Sequence, residues 1–127
     1  MRVLALDYGR ARTGVAVSDP TGTIARPLGV VAGADVGRIV ELIAEHDVER
    51  VVVGMPLTLA GLRGEQARET EAFIERLAAA TSVPVVRFDE RFTTDLAEQT
   101  ASASADEDAR AAAHLLSGYL AWASARA

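Results

Sequence analysis

Cysteine is absent from this 127-residue chain, which excludes disulfide frameworks, thiolate zinc sites and cysteine nucleophiles together. Lysine is absent as well: all 13 basic residues are arginine, so a lysine-based mechanism is excluded too. Aromatic residues make up only 5% of the chain, a thin supply of rings for stacking. No run approaches the roughly 20 apolar residues that a membrane span requires. The amino-terminal apolar run Val3 to Leu6 is closed at once by Asp7 and a glycine turn, too short for a secretory signal. These absences predict a cytoplasmic protein with no membrane partner. No internal repeat and no linker divides the chain.

What is present is a globular balance, half hydrophobic and 24% charged, in the size range of one domain spanning residues 1–127. A domain of this length buries about two-thirds of its unfolded surface and needs no covalent staples. The formal net charge is −5, from 18 acids against 13 arginines, which at first sight disfavours a phosphate-rich partner. The sum hides a distribution. Seven of the 13 arginines, Arg10, Arg12, Arg63 and Arg91 among them, fall in or beside strand-end loops, so the local field can still be mixed or positive.

Val3 to Leu6, Thr13 to Val17 and Ile24 to Val31 read as three strands joined by tight turns, an antiparallel meander. Asp35 can cap a helix with Val36, Ile39, Val40 and Ile43 at helical spacing, ending near His46. Val51-Val52-Val53 is an uninterrupted β-branched triplet, as in a strand covered on both faces. A loop from Gly54 to Gly64 leads to a helix from Glu65 to Ala80, with Ala67, Phe73, Ile74 and Leu77 facing inward. Val83 to Phe88 is a further strand. Asp95 with Glu98 resembles a capping box for a short helix, and a last helix starts near Asp106. The pattern predicts an α/β fold whose five-stranded mixed sheet joins an antiparallel meander to parallel strands, flanked by helices.

Most of the acids, such as Glu41, Glu45, Glu49, Glu69, Glu71 and Glu75, have the positions of a solvated surface. Three places differ. Asp7 ends an apolar strand near the sheet centre, where an unpaired charge is costly. Asp89 and Glu90 end the last strand, and ligands of a parallel half-sheet gather beyond such carboxyl ends. Asp108 shares a helical stripe with Ala112, Leu115, Tyr119 and Trp122, so it faces the sheet from the helix's first turn. Each acid alone has an ordinary structural use as a cap or an ion-pair partner. Jointly, carboxylates converging on one sheet edge are suited to hard divalent cations such as Mg²⁺ or Mn²⁺, which take oxygen ligands. Cations so held lower the pKa of a bound water and stabilise charge on a phosphoryl oxygen. Neighbouring strand residues face opposite ways, so the sequence leaves open whether Asp89 or Glu90 is the ligand. His46 and His114 are read as structural. Gly9 and Gly14 serve either close backbone packing or the approach of a phosphate.

Five ordered segments also resemble a known family: Asp7-Tyr8-Gly9-Arg10-Ala11-Arg12-Thr13-Gly14-Val15-Ala16, Val52-Val53-Gly54-Met55-Pro56-Leu57, Gly64-Glu65-Gln66-Ala67, Asp89-Glu90-Arg91-Phe92-Thr93-Thr94 and Asp108-Ala109-Arg110-Ala111-Ala112. They are similar, in order and over nearly the whole chain, to the motifs of the YqgF/RuvX family of Holliday junction resolvase-like proteins, also described as pre-16S ribosomal RNA nucleases. The resemblance implies a ribonuclease H-like fold and metal-dependent phosphodiester hydrolysis. It implies Asp7, Glu90 and Asp108 as the catalytic set binding Mg²⁺ or Mn²⁺, with Asp89 in support. Gly9, Arg12, Arg91, Thr93 and Thr94 are the implied substrate-binding residues, arginine offering a planar fork to phosphate oxygens. The implied partner is nucleic acid, with pre-rRNA favoured over DNA junctions, and the protein acts as a monomer or homodimer. Residues 95–109 depart from the family: five acids and no base stand where its members usually carry a longer basic segment. That weighs against strong junction-specific DNA binding and predicts affinity that is weak without divalent metal and falls quickly with salt. Of two other readings, a non-catalytic module binding RNA or protein stands, and an ATP-binding hairpin of the actin and sugar-kinase type is set aside. The latter needs two such domains, and this chain supplies one.

Overall fold

The computed structural model describes residues 1–56, 64–89 and 105–126. Its elements are β1 (Val3–Asp7), β2 (Arg12–Ser18), β3 (Ala25–Ala32), α1 (Val36–Glu45), β4 (Arg50–Met55), α2 (Glu65–Ala80), β5 (Val85–Asp89) and α3 (Ala105–Ala125). Each corresponds to an element predicted from the hydrophobic pattern. The short helix predicted at Asp95 lies outside the described residues.

The five strands form one sheet in the order β3-β2-β1-β4-β5. β1 pairs antiparallel with β2, and β2 with β3, whereas β1–β4 and β4–β5 are parallel. The mixed sheet is therefore the predicted one, with β1 at its centre. Leu4, Ala5 and Leu6 of β1 and the Val51–Val53 triplet of β4 are all fully buried, as strands covered on both faces must be.

Alternation along the strands sorts side chains into two cores. Leu4, Leu6, Val15, Val17, Val51 and Val53 face α1 and α2, meeting Ile39, Leu42, Phe73, Ile74 and Leu77. Val3, Ala5, Ala16, Val52 and Phe88 face α3, meeting Ala112, Leu115, Leu116 and Tyr119. Asp7 follows Val3 and Ala5 at steps of two, so β1 delivers it to the α3 face. Asp35 caps α1 by accepting the Arg38 N–H at 3.0 Å, and His46 closes the helix's other end.

Element ends differ from the pattern for local reasons. β3 starts at Ala25, and Ile24 stays 66% exposed. The Ile24 N–H is taken by the Asp19 carboxylate and its carbonyl by the Asp19 N–H, which closes a turn instead. β4 runs on through Gly54 and Met55, which pair with Phe88 and Asp89, so the predicted loop begins later. β5 starts at Val85 because Pro84 has no N–H for the ladder, though its carbonyl accepts from Val51. Glu69 and Glu71, predicted as solvated surface, are half-buried and paired with Arg10 and Arg87.

Ser18 ties the start of β1 to the end of β2. Its buried Oγ accepts the Val3 N–H at 2.8 Å and donates to the Asp19 carbonyl at 3.0 Å. Ser18→Ala removes the partner of the Val3 N–H, whereas the Asp19 carbonyl keeps the Gly22 N–H at 3.0 Å, and is expected to cost about 1–2 kcal/mol in a urea titration. An unchanged midpoint would show that neither bond stabilises the fold.

Candidate active site

β1 carries Asp7 to the carboxyl end of the central strand, directly opposite Gly14 in the β1–β2 ladder. The carboxyl is largely enclosed there. Burial first, and the negative charge of Asp108 second, push its pKa from 3.8 up to about 6. A buried acid facing a second acid is an unfavourable arrangement unless a cation or a proton joins it.

Asp108 reaches this place from the first turn of α3. The helix docks through Ala109, Ala112, Leu115, Leu116 and Tyr119, all buried, so its amphipathic stripe sets which way Asp108 faces. Gly14 sets how near it comes. A Cβ on Gly14 would stand 2.1 Å from the Asp108 carbonyl oxygen and 2.7 Å from its carbonyl carbon. Only a residue without a side chain lets the helix backbone lie against β2 at that point.

Arg12 opens β2 two residues before Gly14, on the same face. Its Nε donates to Oδ2 of Asp108, an ion pair across 96 positions of sequence. The backbone beneath it is fixed from several sides. A Cβ on Gly9 would meet the Arg12 carbonyl oxygen at 2.5 Å, so glycine there closes the turn. The Gly33 N–H donates to the Ala11 carbonyl at 2.9 Å, and buried Thr13 donates its hydroxyl to the Gly33 carbonyl at 2.7 Å. Gly33 itself takes φ +50°, the left-handed region that favours glycine.

The structure thus brings Asp7, Arg12 and Asp108 together, with Gly9 and Gly14 shaping the backbone around them. Asp89 ends β5, and alternation assigns it to the face of Val85 and Arg87, whose guanidinium pairs with Glu71 of α2. That is the face opposite Asp7 and Asp108. Glu90, Arg91, Thr93 and Thr94 lie outside the described residues. Among the described residues no three possible ligands cluster around a metal position. Two carboxylates, one with its pKa raised by burial and then by its neighbour, nonetheless make an oxygen donor set of the kind a hard divalent cation takes. His46 serves as the α1 cap, as predicted.

Sequence reasoning missed two features of the site. Arg10, expected among the strand-end arginines, instead bonds Glu69 at 2.8 Å through Nε and Glu65 at 3.2 Å, bracing the turn against α2. A cleft of about 270 Å³ opens between β3 and the start of α3, lined by Pro27, Leu28, Gly29, Asp106, Ala109 and Arg110. Neither has a local signature in the sequence, because the partners lie far apart along the chain.

No helix among the described residues is long and apolar enough to cross a membrane. Among solved structures, T. thermophilus RuvC in complex with a Holliday junction substrate superposes with a TM-score of 0.60 at 19% identity, covering 98% of this chain and 96% of that one. It shares the ribonuclease H-like fold. A ROK hexokinase from Thermus thermophilus matches at a TM-score of 0.50 and 22% identity, over 81% of this chain but 38% of the hexokinase. A protein of Anaeromyxobacter sp. (strain Fw109-5) is 46% identical over 94% of this chain and 96% of its own length. One of Syntrophus aciditrophicus (strain SB) is 44% identical over 82% of this chain and 72% of its own. Both are named "Putative pre-16S rRNA nuclease". The family model RuvX, described as Holliday junction resolvase, matches residues 1–122, and the chain belongs to that family.

Proposed function

We propose that this protein is a metal-dependent nuclease that hydrolyses phosphodiester bonds in structured RNA, its substrate being the 5′ leader of precursor 16S ribosomal RNA. The observation that carries this reading is the meeting of Asp7 and Asp108 at the carboxyl end of β1, each turned to the same face of the sheet. The names of the relatives support the choice of RNA over DNA junctions, as does the run of five acids without a base over residues 95–109.

Asp7 and Asp108 supply carboxylate ligands, and Glu90 supplies the third. Glu90 is chosen over Asp89 because alternation in β5 assigns Asp89 to the α2 face. Mg²⁺ or Mn²⁺ bound there supplies a water of lowered pKa and stabilises charge on the phosphoryl oxygen. The chain's own residues do the rest. Asp7, in its charged form, holds the cation against the central strand. Arg12 and Arg91 take phosphate oxygens, Thr93 and Thr94 add hydroxyl contacts, and Gly9 lets the backbone of the turn approach the substrate. The protein works in the cytoplasm, where its substrate is made.

The test is cleavage of a transcribed 16S precursor carrying its 5′ leader, with Mg²⁺, with Mn²⁺ and with chelator. Cuts that require metal and are lost in both Asp108→Asn and Glu90→Gln are expected. Metal-independent cleavage, or a DNA four-way junction cut while the precursor is spared, would overturn the reading. So would cuts that persist in both variants, since they would belong to a contaminant.

A further inference from the structure

We infer that Arg12 is the resident cation of the metal-free site, and that its displacement from Asp108 couples metal entry to capture of a substrate phosphate. The inference rests on the proposed role of Asp108 as a metal ligand and goes beyond it, since it gives one residue two successive partners.

Three observations carry it. Arg12 Nε donates to Oδ2 of Asp108, so a guanidinium already neutralises one carboxylate of the pair that a divalent ion would share. A divalent ion on this carboxylate competes with the guanidinium for the same negative charge, because two cations drawn to one small anion repel each other at close range. Next, the backbone at Arg12 is pinned by the Gly9 approach, the Ala11–Gly33 bond and the β2–β3 ladder, in which Arg12 pairs with Ala32. Exchange of partners at Asp108 is therefore made by the Arg12 side chain from a fixed backbone. Finally, among the described residues Arg10 and Arg87 do not share the position. Arg10 is engaged by Glu65 and Glu69 and Arg87 by Glu71, on the α2 side.

The consequence is an order of events. Without metal, Arg12 and Asp108 neutralise one another, and the charge of Asp7 leaves the site unattractive to a phosphate. When a divalent ion takes Asp108, the guanidinium turns out beside it, and its planar fork faces the same space as the metal. A phosphodiester then meets two positive groups instead of one. The partner is any phosphate group bound at that place, so RNA and DNA backbones are handled alike by this device.

Binding of Mn²⁺ to the purified protein, measured by calorimetry, tests the competition. Arg12→Gln is expected to bind Mn²⁺ roughly five- to tenfold more tightly than the wild type, the size of effect a partly exposed ion pair supports. Arg10→Gln, which removes the same charge two residues away, should stay within about twofold. Equal gains in both variants would reveal a diffuse field effect, and unchanged or weaker binding in Arg12→Gln would remove the competition; either overturns the inference while leaving the metal site standing. Absence of Mn²⁺ binding in wild type and variants alike would overturn the proposed metal site and this inference with it. A second readout does not depend on a variant's folding. The Arg12 Nε–H resonance should be protected from exchange without metal and lose that protection on titration with Mg²⁺. Protection retained at saturating Mg²⁺ would show that Arg12 never leaves Asp108.

Discussion

Asp7→Asn is expected to make the metal-free protein more stable above about pH 7 while abolishing metal-dependent cleavage. The sign follows from the direction of the Asp7 shift. Its pKa rises from 3.8 to about 6 on folding, through burial and then the charge of Asp108, so the folded state prefers the neutral acid. The folded protein thus gives up stability as pH climbs from the unfolded value through the folded one. Above both, the charged form costs about 3 kcal/mol at 1.36 kcal/mol per unit. An asparagine of the same shape carries no such charge. Thermal melts of the two proteins should therefore diverge between about pH 4 and pH 6, with the variant melting higher, and coincide below that window. In cleavage the order inverts: losing a ligand of the metal is expected to lower the rate roughly a thousandfold, about 4 kcal/mol of transition-state stabilisation. Divalent metal should raise the melting temperature of the wild type and leave the variant unmoved. A variant that melts below the wild type at neutral pH would refute the assignment of Asp7 as a destabilising acid.

Gly14→Ala is the second large effect, and it acts through shape alone. The added methyl would sit 2.1 Å from the Asp108 carbonyl oxygen, a backbone atom that cannot swing aside. Either β2 bends or α3 lifts from a face packed by Ala112, Leu115, Leu116 and Tyr119. The expected loss is about 2–4 kcal/mol in denaturant unfolding, at the upper end for overpacking because both sides are main chain. Metal affinity should fall in the same variant, since lifting α3 draws Asp108 away from Asp7. Wild-type stability together with wild-type metal binding would mean that the helix tolerates a methyl there and does not set the site by contact.

The elements and their order were legible in the sequence because hydrophobic period reports them directly. The Val51–Val53 triplet announces a strand buried on both faces, and the stripe of Ala112, Leu115 and Tyr119 turns Asp108 towards the sheet. Asp7 stood out for the same reason, a charge closing a strand with no room for one. Contacts between distant elements were not legible. Nothing near Gly14 in sequence says that a helix begun 91 residues later will rest on it. The Arg12–Asp108 pair is equally silent, and Arg12 read alone gives only a phosphate-seeking arginine. Element ends were misjudged where one hydrogen bond decides, as with Asp19 and Ile24, or where a missing donor does, as at Pro84. Glu90, Arg91, Thr93 and Thr94 fall outside the described residues, so their roles rest on the family's motif and on the alternation in β5.

The contact of Gly14 with Asp108 also bears on when activity can begin. One carboxylate is translated among the first residues and the other with the last described helix, so no nascent chain shorter than residue 108 holds both. Until that helix docks, Asp7 lacks its Asp108 neighbour, and the sheet face carrying Val3, Ala5, Ala16, Val52 and Phe88 is without its α3 cover. With Asp7 and Asp108 as the proposed ligands, a product cut short before residue 108 is expected to lack both the metal site and cleavage.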